Sequence, residues 1–250
     1  MPKATVSKAM VSIVIPCYNE EEGLSPLAQQ LLPAIQKLSR NYDVEPIFVD
    51  DGSTDRTNEL LHHYFSGLSN VKILKHERNK NLGAALRTGF SQASGDLIAA
   101  LDSDCTYSPE LIGTMAEMMD ENTDIVTVSP YHPQGKVNNV PAYRIFLSKS
   151  ASRLYRIVLG YPLYTYTAMV RMYKKEVVQN VPFEADNFLG VTELLVNAVL
   201  KGYQVKELPV ELQARKFGVS KMKTFPIKVM GNHLALLSTV VKHKLFRNSR

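Results

Sequence analysis

The chain has 250 residues, of which 45% are hydrophobic and 21% are charged, and its formal net charge is +5. This composition is that of an ordinary globular protein with one substantial core, and it excludes a collagen, a coiled coil and a disordered chain. Two cysteines, Cys17 and Cys105, are too few for a disulfide framework and favour a reduced, cytosolic protein. No apolar run reaches the roughly 18 residues of a membrane-spanning helix, and the N-terminal segment MPKATVSKAM lacks the apolar core of a secretory signal.

Short β-branched runs alternate with helix-like segments along the first half of the chain. The predicted strands are 11–15, 45–49, 71–75, 96–101 and 124–129, and the predicted helices are 20–40, 54–65, 83–94 and 109–120. Pro33 is expected to kink or split the first helix, and Ser53 or Thr54 is expected to cap the second. This alternation predicts a parallel, doubly wound α/β sheet.

The second half of the chain is less regular. A loop rich in Pro, Gly and Asn over 131–141 precedes a helix over 143–159, a strand over 168–173, a helix over 191–201 and a strand over 204–210. His76 and His132 are interpreted as isolated residues, since no spacing typical of a zinc site is present.

The C-terminal segment is basic and amphipathic. Nine Lys or Arg and no Asp or Glu occur from 214 to 250. Apolar residues recur there at helical spacing, at Met230, Leu234, Leu237, Val241 and Leu245. Such a helix can bind an anionic membrane surface, or it can pack its apolar stripe on the body of the protein. No nucleic-acid motif accompanies the charge, so no nucleic-acid partner is expected.

Three polar clusters follow predicted strands, at 16–20, 50–55 and 102–104. In a doubly wound sheet the ligand lies beyond the carboxyl ends of the strands. Asp102 and Asp104 could share a hard cation such as Mg²⁺ or Mn²⁺, which would neutralise a diphosphate leaving group. The alternative is a solvated loop. Asp50 or Asp51 could accept hydrogen bonds from a base or ribose, whereas Thr54 and Asp55 are interpreted as structural.

Four motifs in order, IVIPCYNEEEGL, VDDGSTDRT, NLGAALRTGFSQASGD and ALDSD, resemble glycosyltransferase family 2 with a GT-A fold. Later segments, GKVNNVPAYRIFLSKSAS, GVTELLVNAVLKGYQVKELPVELQAR and KFGVSKMK, resemble its dolichol-phosphate or polyprenol-phosphate hexosyltransferase branch. The resemblance covers about residues 11–225. It implies a Rossmann-like, mostly parallel sheet in one catalytic domain, 1–225, followed by the basic amphipathic helix at 226–250.

The resemblance also implies roles for individual residues. It places the nucleotide pocket at Pro16, Tyr18, Glu20, Asp50 and Asp51, and the site for the metal and the sugar nucleotide at Asp102 and Asp104. It assigns contacts with the diphosphate to Arg215 and Lys221, and contacts with the lipid phosphate to Arg144 and Ser148. Related enzymes often place an acidic residue near the acceptor, where this chain has Glu193. A phosphate acceptor needs no general base, so Glu193 is interpreted as a positioning or structural residue.

Three positions depart from the pattern of the branch. Thr106 replaces a Gln, Pro130 replaces a basic residue, and Thr165 opens a segment where an acidic residue is usual. The sugar and the acceptor are therefore left open by the sequence.

The function expected from the resemblance is an inverting transfer of a hexose from a UDP- or GDP-linked sugar to a polyprenyl phosphate. It would take place at the cytosolic face of a membrane, with peripheral attachment and with a membrane protein or a second copy as further partners. The alternatives are transfer to a glycan or another glycolipid, and a catalytically silent nucleotide-sugar binding module. A nicotinamide-binding protein is disfavoured, since the turn PCYNEEEG lacks the G-x-G-x-x-G pattern.

Overall fold

A seven-stranded sheet organises the protein, whose computed structural model describes residues 8–213 and 226–247. Within these residues the strands are β1 (Met10–Cys17), β2 (Asp43–Asp50), β3 (Lys72–Lys75), β4 (Leu97–Ala100), β5 (Ile125–Ser129), β6 (Lys136–Asn138), β7 (Arg171–Lys174), β8 (Val205–Pro209) and β9 (Glu211–Gln213). The order in the large sheet is β3-β2-β1-β4-β7-β5-β8. Only β7 runs antiparallel to its neighbours in this sheet, so the expected mostly parallel arrangement is confirmed.

Helices cover both faces of the sheet. They are α1 (Leu24–Leu38), α2 (Thr57–Phe65), α3 (Leu82–Gln92), α4 (Leu111–Met118), α5 (Ala142–Leu159), α6 (Lys175–Asn180), α7 (Leu189–Leu200) and α8 (Pro226–Arg247). One core cluster joins α1, α2 and α4 to the sheet, and a second joins α3, α5, α7 and α8 to its other face. The doubly wound α/β class predicted from the alternation of elements is therefore confirmed.

Pro33 was expected to kink or split the first helix, and the structure shows that it does not split it. Helix α1 continues through it, and Pro33 is exposed on the side opposite the buried residues Leu31 and Ile35. The hydrogen bond that Pro33 cannot donate would have reached the carbonyl of Gln29, which is also an exposed residue and can bind water instead. Burial of the apolar face thus outweighs the local cost of the proline.

The second helix begins later than its expected caps. Thr57 is its first residue, and the Thr57 N–H donates to Asp55 Oδ1 at 3.0 Å. Ser53 and Thr54 instead bond to the 16–22 loop described below. The short elements β6, α6 and β9 were also not predicted, because runs of three to six residues are too short to show a periodicity.

A buried carboxylate fastens the amino end of the sheet. Glu45 accepts hydrogen bonds from the hydroxyl groups of Ser12 and Ser94, and its Oε1 lies 2.6 Å from Lys72 Nζ. Burial alone would raise the pKa of Glu45, but the bonds from Lys72, Ser12 and Ser94 outweigh it and lower the pKa to about 2.

We expect Glu45→Gln to lower the free energy of unfolding at pH 7 by roughly 3 kcal/mol, at about 1.4 kcal/mol per pKa unit. Because the pKa is lower in the folded than in the unfolded chain, the stabilisation is complete above pH 4.5 and is lost as the pH falls towards 2. Urea unfolding across this range should show a flatter pH dependence for the variant. Glu117→Gln, at an exposed position on α4, is the matched control. Parallel profiles for Glu45→Gln and the unmodified protein would contradict the assignment.

Helix α8 packs on the body, but through a different face from the predicted stripe. His233, Leu237 and Val240 are buried, whereas Leu234 and Val241 are exposed. Leu237 is thus the one stripe residue shown to be buried, since the side chain of Leu245 lies outside the described residues. No helix in the described part of the chain is both long and apolar enough to cross a membrane.

His233 is buried where helix α8 packs on α5. Its Nδ1 lies 3.1 Å from the hydroxyl of Tyr155 on α5, and burial lowers the pKa of His233 to about 4.

Because the unfolded chain binds a proton near pH 6.5 and the folded chain does not, we expect stability to fall between pH 6.5 and 4, by up to roughly 3 kcal/mol. His233→Gln, which keeps an acceptor and does not titrate, should lose much of this slope in thermal unfolding. The exposed His63→Gln serves as control and should keep it. Equal slopes for the two variants would rule out this role.

Candidate active site

The carboxyl ends of β1 and β2 and the loop after β4 meet at one edge of the sheet. Cys17 is paired with Asp50 in the register of β1 and β2, and the Asp51 N–H donates to the Cys17 carbonyl at 2.8 Å. Burial raises the pKa of the Cys17 thiol, the charges of Glu20 and Asp50 raise it further, and a side-chain hydrogen bond with Ser103 opposes them. All three polar clusters predicted from the sequence therefore converge here.

The two cysteines are free thiols. Cys17 is buried and Cys105 is half-buried, and burial followed by the charge of Asp104 raises the pKa of Cys105 to about 11. Both thiols are therefore protonated at neutral pH.

The 16–22 loop is clamped to the loop after β2. The Asn19 N–H donates to Ser53 Oγ at 2.9 Å, and the Thr54 N–H donates to Asn19 Oδ1 at 2.8 Å. The Glu20 N–H donates to Thr57 Oγ1 at 2.7 Å, and the Glu21 N–H donates to Asp55 Oδ2. These bonds give Thr54 and Asp55 the structural role expected of them. In the same region Pro16 and Glu20 are buried and Tyr18 is half-buried.

Asp50 and Asp51 are both buried but differ in their contacts. Asp50 Oδ1 accepts the Ser53 N–H at 2.8 Å, while Asp50 Oδ2 is buried without a hydrogen-bond partner among the described residues, 3.9 Å from Lys75 Nζ. Asp51 Oδ1 accepts from His76 Nδ1 at 2.7 Å and from the Lys80 N–H at 2.9 Å. The carboxylate of Asp51 is therefore held in a fixed orientation.

His76 is not isolated, contrary to the interpretation from the sequence. Besides the bond to Asp51, its Nε2 lies 2.9 Å from Thr88 Oγ1, and its backbone N–H donates to the Asp50 carbonyl. Its position directly after β3, at the carboxyl edge of the sheet, was the signal that could have revealed this. His132 also has contacts, since its ring packs edge-on against Tyr164 at 5.2 Å.

Asp102 and Asp104 are half-buried and frame the buried Ser103. Asp104 Oδ1 accepts the Thr106 N–H at 3.1 Å. The bond comes from the backbone, so the Thr that replaces the expected Gln still orients this carboxylate. No group of three or more His, Cys, Asp or Glu within 8–213 and 226–247 could hold a metal ion. Two carboxylates are nevertheless a donor set that fits a hard divalent cation whose other ligands are phosphate or water oxygens.

Two tyrosines connect this pair to the predicted acceptor residues. Burial raises the pKa of Tyr107, and the charge of Asp102, then Tyr131 and Asp104, raise it further. Tyr131 in turn has a side-chain hydrogen bond with Ser148, and Ser148 Oγ lies 2.5 Å from Thr167 Oγ1. Two tyrosines, Tyr107 and Tyr131, therefore lie between the Asp pair and Ser148, which is on the α5 side of the site.

Arg144 lies one turn before Ser148 on α5. It is half-buried, and its Nε donates to the hydroxyl of Tyr143 at 3.2 Å. Thr165 does not line this region, because it is buried with its hydroxyl 2.8 Å from Ser129 Oγ and its N–H donating to Glu207. Glu207 was missed by the sequence interpretation. It holds the segment in which an acidic residue had been expected.

Glu193 and Arg171 fasten loops around the site. Glu193 Oε2 accepts the N–H groups of Glu184 and Ala185 at 3.1 and 2.9 Å, contacts that are compatible with either the positioning or the structural role expected from the sequence. Arg171, fully buried on β7, donates to Thr127 Oγ1 and to the carbonyls of Tyr166 and Val191. It thereby ties the loop before β7 to the first turn of α7. Arg215 and Lys221, predicted to contact the diphosphate, lie outside the described residues.

Comparison with known proteins gives a consistent result. Residues 12–181 match the model for glycosyl transferase family 2. The chain is 35% identical over 219 residues to the dolichol-phosphate mannosyltransferase of Pyrococcus furiosus, with 85% of this chain and 59% of that protein aligned. It therefore spans about three fifths of the length of that relative. It is 30% identical to the polyprenol monophosphomannose synthase of Mycolicibacterium smegmatis, with 84% of this chain and 80% of that protein aligned.

The fold is also similar to a solved structure. Glucosyl-3-phosphoglycerate synthase from Mycobacterium tuberculosis, in complex with Mn²⁺, UDP and glucosyl-3-phosphoglycerate, aligns with a TM-score of 0.68 at 19% identity, covering 94% of this chain and 80% of that one. At this identity the likeness concerns the fold alone. The family model and the two relatives show that the chain belongs to glycosyltransferase family 2, and within it the chain resembles the polyprenol-phosphate hexosyltransferase branch.

Proposed function

We propose that the protein transfers a hexose from a UDP- or GDP-linked sugar to a polyprenyl phosphate of the dolichyl type, with inversion at the anomeric carbon. The observation that carries the proposal is the arrangement of the site. The carboxyl ends of β1 and β2 and the Asp102–Asp104 loop converge at one edge of the sheet, and Ser148 on α5 has a hydrogen bond with Tyr131, which lies in the loop after β5. The names of both curated relatives, which specify a dolichol or polyprenol phosphate product or acceptor, support the same acceptor class.

The donor would occupy the carboxyl edge of the sheet. Tyr18, Glu20 and the Asp50–Asp51 pair are proposed to surround the nucleoside, and of these four side chains Tyr18 is the most exposed. A divalent cation, Mg²⁺ or Mn²⁺, held by Asp102 and Asp104 would neutralise the diphosphate as it leaves. Arg215 and Lys221 are proposed to contact the same diphosphate, because a planar guanidinium and a compact ammonium group can both bind its oxygens.

The acceptor would approach from the α5 side. Arg144 and Ser148 are proposed to hold its phosphate, with the guanidinium neutralising charge and the hydroxyl fixing orientation. The acceptor oxygen is already anionic at neutral pH, so an in-line attack on the anomeric carbon needs no base from the protein. Glu193 then contributes through the 184–185 loop and not through proton transfer. The catalytic domain is proposed as 1–225, with 226–250 as a basic extension at the cytosolic face of a membrane.

A transfer assay tests the proposal directly. The purified protein is incubated with Mn²⁺ and either a UDP- or a GDP-linked hexose, and with either a polyprenyl phosphate or 3-phosphoglycerate as acceptor. Radiolabel that moves from one donor into the lipid fraction is the expected result. Transfer to the soluble phosphate alone would contradict the lipid acceptor, and binding of no nucleotide in calorimetry with UDP, GDP, dTDP and CDP would contradict the donor site.

A further inference from the structure

His76 joins the end of β2 to helix α3. The residue is buried, and its backbone N–H donates to the Asp50 carbonyl at 2.9 Å. Its Nδ1 lies 2.7 Å from Asp51 Oδ1, and its Nε2 lies 2.9 Å from Thr88 Oγ1 on α3. The imidazole ring is therefore held at both of its nitrogens and has one orientation in the site.

The partners of His76 determine which ring nitrogen donates to Asp51. An ionised carboxylate only accepts hydrogen bonds, so Nδ1 of His76 is the donor in the bond to Asp51 Oδ1. The hydroxyl of Thr88 can then donate to Nε2 of a neutral ring. The imidazole thus delivers one N–H to one particular oxygen of Asp51.

The two oxygens of Asp51 differ in their availability to a ligand. Oδ1 accepts from His76 Nδ1 and from the Lys80 N–H at 2.9 Å, which occupies both of its lone pairs. Both hydrogen bonds that the described residues give to this carboxylate end on Oδ1, so Oδ2 is left for a ligand. The side chain of Asp51 keeps 4% of its surface exposed, whereas that of Asp50 keeps none. Asp51 therefore offers one acceptor atom in a fixed position.

A single acceptor atom distinguishes uracil from guanine by their hydrogen-bonding edges. Uracil has one ring N–H, at N3 between two carbonyl groups, so one carboxylate oxygen satisfies its only donor on that edge. Guanine has two adjacent donors, the N1–H and the 2-amino group, which together pair best with both oxygens of a carboxylate. At Asp51 the second guanine donor would meet Oδ1, whose lone pairs are occupied. That donor would stay unpaired in a buried site, which weakens binding.

We propose that His76 is a positioning residue that restricts Asp51 to one available acceptor atom, and that the sugar donor is therefore linked to UDP and not to GDP. This inference rests on the proposed function, which places a nucleoside at Asp51 and leaves UDP and GDP open. It assigns the choice between the two bases to a bond between residues that lie 25 positions apart in the chain.

Calorimetry on the full chain with Mn²⁺ tests the inference, with UDP and GDP as the probes. We expect UDP to bind at least about tenfold more tightly than GDP, because guanine leaves one donor unpaired. Equal or tighter binding of GDP would overturn the inference and leave the proposed function intact. Binding of neither nucleotide would overturn both.

Variants of His76 separate a positioning role from a structural one. His76→Leu removes the donor and lets the carboxylate of Asp51 turn. The affinity for UDP should then fall about tenfold, and the preference for UDP over GDP should shrink to about threefold or less. His76→Asn, whose amide N–H can replace Nδ1, should keep the preference. His63→Leu, at an exposed position on α2, is the control and should bind both nucleotides like the unmodified protein.

The ratio of the two affinities is the decisive quantity. A residue that only supports the fold would lower both affinities together, so an unchanged ratio in a folded His76→Leu variant would overturn the positioning role. Loss of the preference in a folded His76→Asn variant would overturn it as well. Thermal unfolding shows which variants are folded. If His76→Leu does not fold, the preferences of the unmodified protein and of His76→Asn still decide the question.

Discussion

Replacing Asp104 with Asn is expected to lower the rate of sugar transfer by about 10³-fold, which corresponds to about 4 kcal/mol of lost transition-state stabilisation. The variant keeps the size of the side chain and an oxygen that can still accept the Thr106 N–H. It loses the charge that a divalent cation requires. Calorimetry should therefore show that Mn²⁺ no longer strengthens nucleotide binding, while the midpoint of thermal unfolding changes little.

The control for Asp104→Asn is Asp43→Asn. It removes the same charge from an exposed position at the amino end of β2, the end away from the site. It should retain full activity and metal-dependent binding. The rate of sugar transfer should also fall in Asp102→Asn if both carboxylates share the cation. Full activity of Asp104→Asn under limiting metal would show that the pair does not hold a cation.

Gly52→Ala is expected to cost about 3–5 kcal/mol of stability, the sum of a left-handed backbone strain and an overpacking term. Gly52 has φ of +71°, and a Cβ at this position would lie 2.3 Å from the backbone carbon of Arg78. Neither the turn after β2 nor the 78–80 segment can move freely, because Asp51 holds the Lys80 N–H. For a domain of this size the midpoint of thermal unfolding should fall by about 10 °C, and nucleotide affinity should fall with it as Asp51 is displaced.

Gly67→Ala provides the matched comparison within the same chain. Gly67 lies in an exposed turn and does not have a positive φ, and a Cβ added there would have no described heavy atom within 4 Å apart from its chain neighbours. Its substitution should change stability by no more than about 0.5 kcal/mol. Similar stabilities for the two alanine variants would mean that the close contact at Gly52 relaxes without cost.

The positions that depart from the family pattern have different structural consequences. At Thr106 the backbone N–H preserves an interaction with Asp104, so the substitution removes one side chain but not the orientation of the carboxylate. At Thr165 the hydroxyl is bonded to Ser129 inside the protein, and Glu207 receives the N–H groups of Tyr164 and Thr165. Residue 165 therefore presents no acidic side chain to the acceptor substrate. We therefore expect selectivity to depend more on Arg144 and Ser148.

The sequence by itself determined the fold class and the edge of the sheet where the site lies. Alternating β-branched and amphipathic segments predict the strands β1 to β5 along the chain and a mostly parallel sheet, because these follow from local periodicity and short crossovers. The insertion of the antiparallel β7 between β4 and β5 was not predicted. Once the strands are parallel, the clusters at 16–20, 50–55 and 102–104 must meet at one edge. Their convergence therefore needed no knowledge of long-range contacts.

The tertiary structure alone decided which side chains pair and which helical faces are covered. The bond from His76 to Asp51 spans 25 residues and that from His233 to Tyr155 spans 78, and no local pattern specifies either. Likewise, the periodicity of α8 placed Leu234 and Val241 on its apolar stripe and left open whether the stripe packs on the body. In the structure both are exposed, whereas His233 and Val240 are buried. An amphipathic pattern shows which residues share one face of a helix. Which face is buried is decided by the elements that pack against the helix.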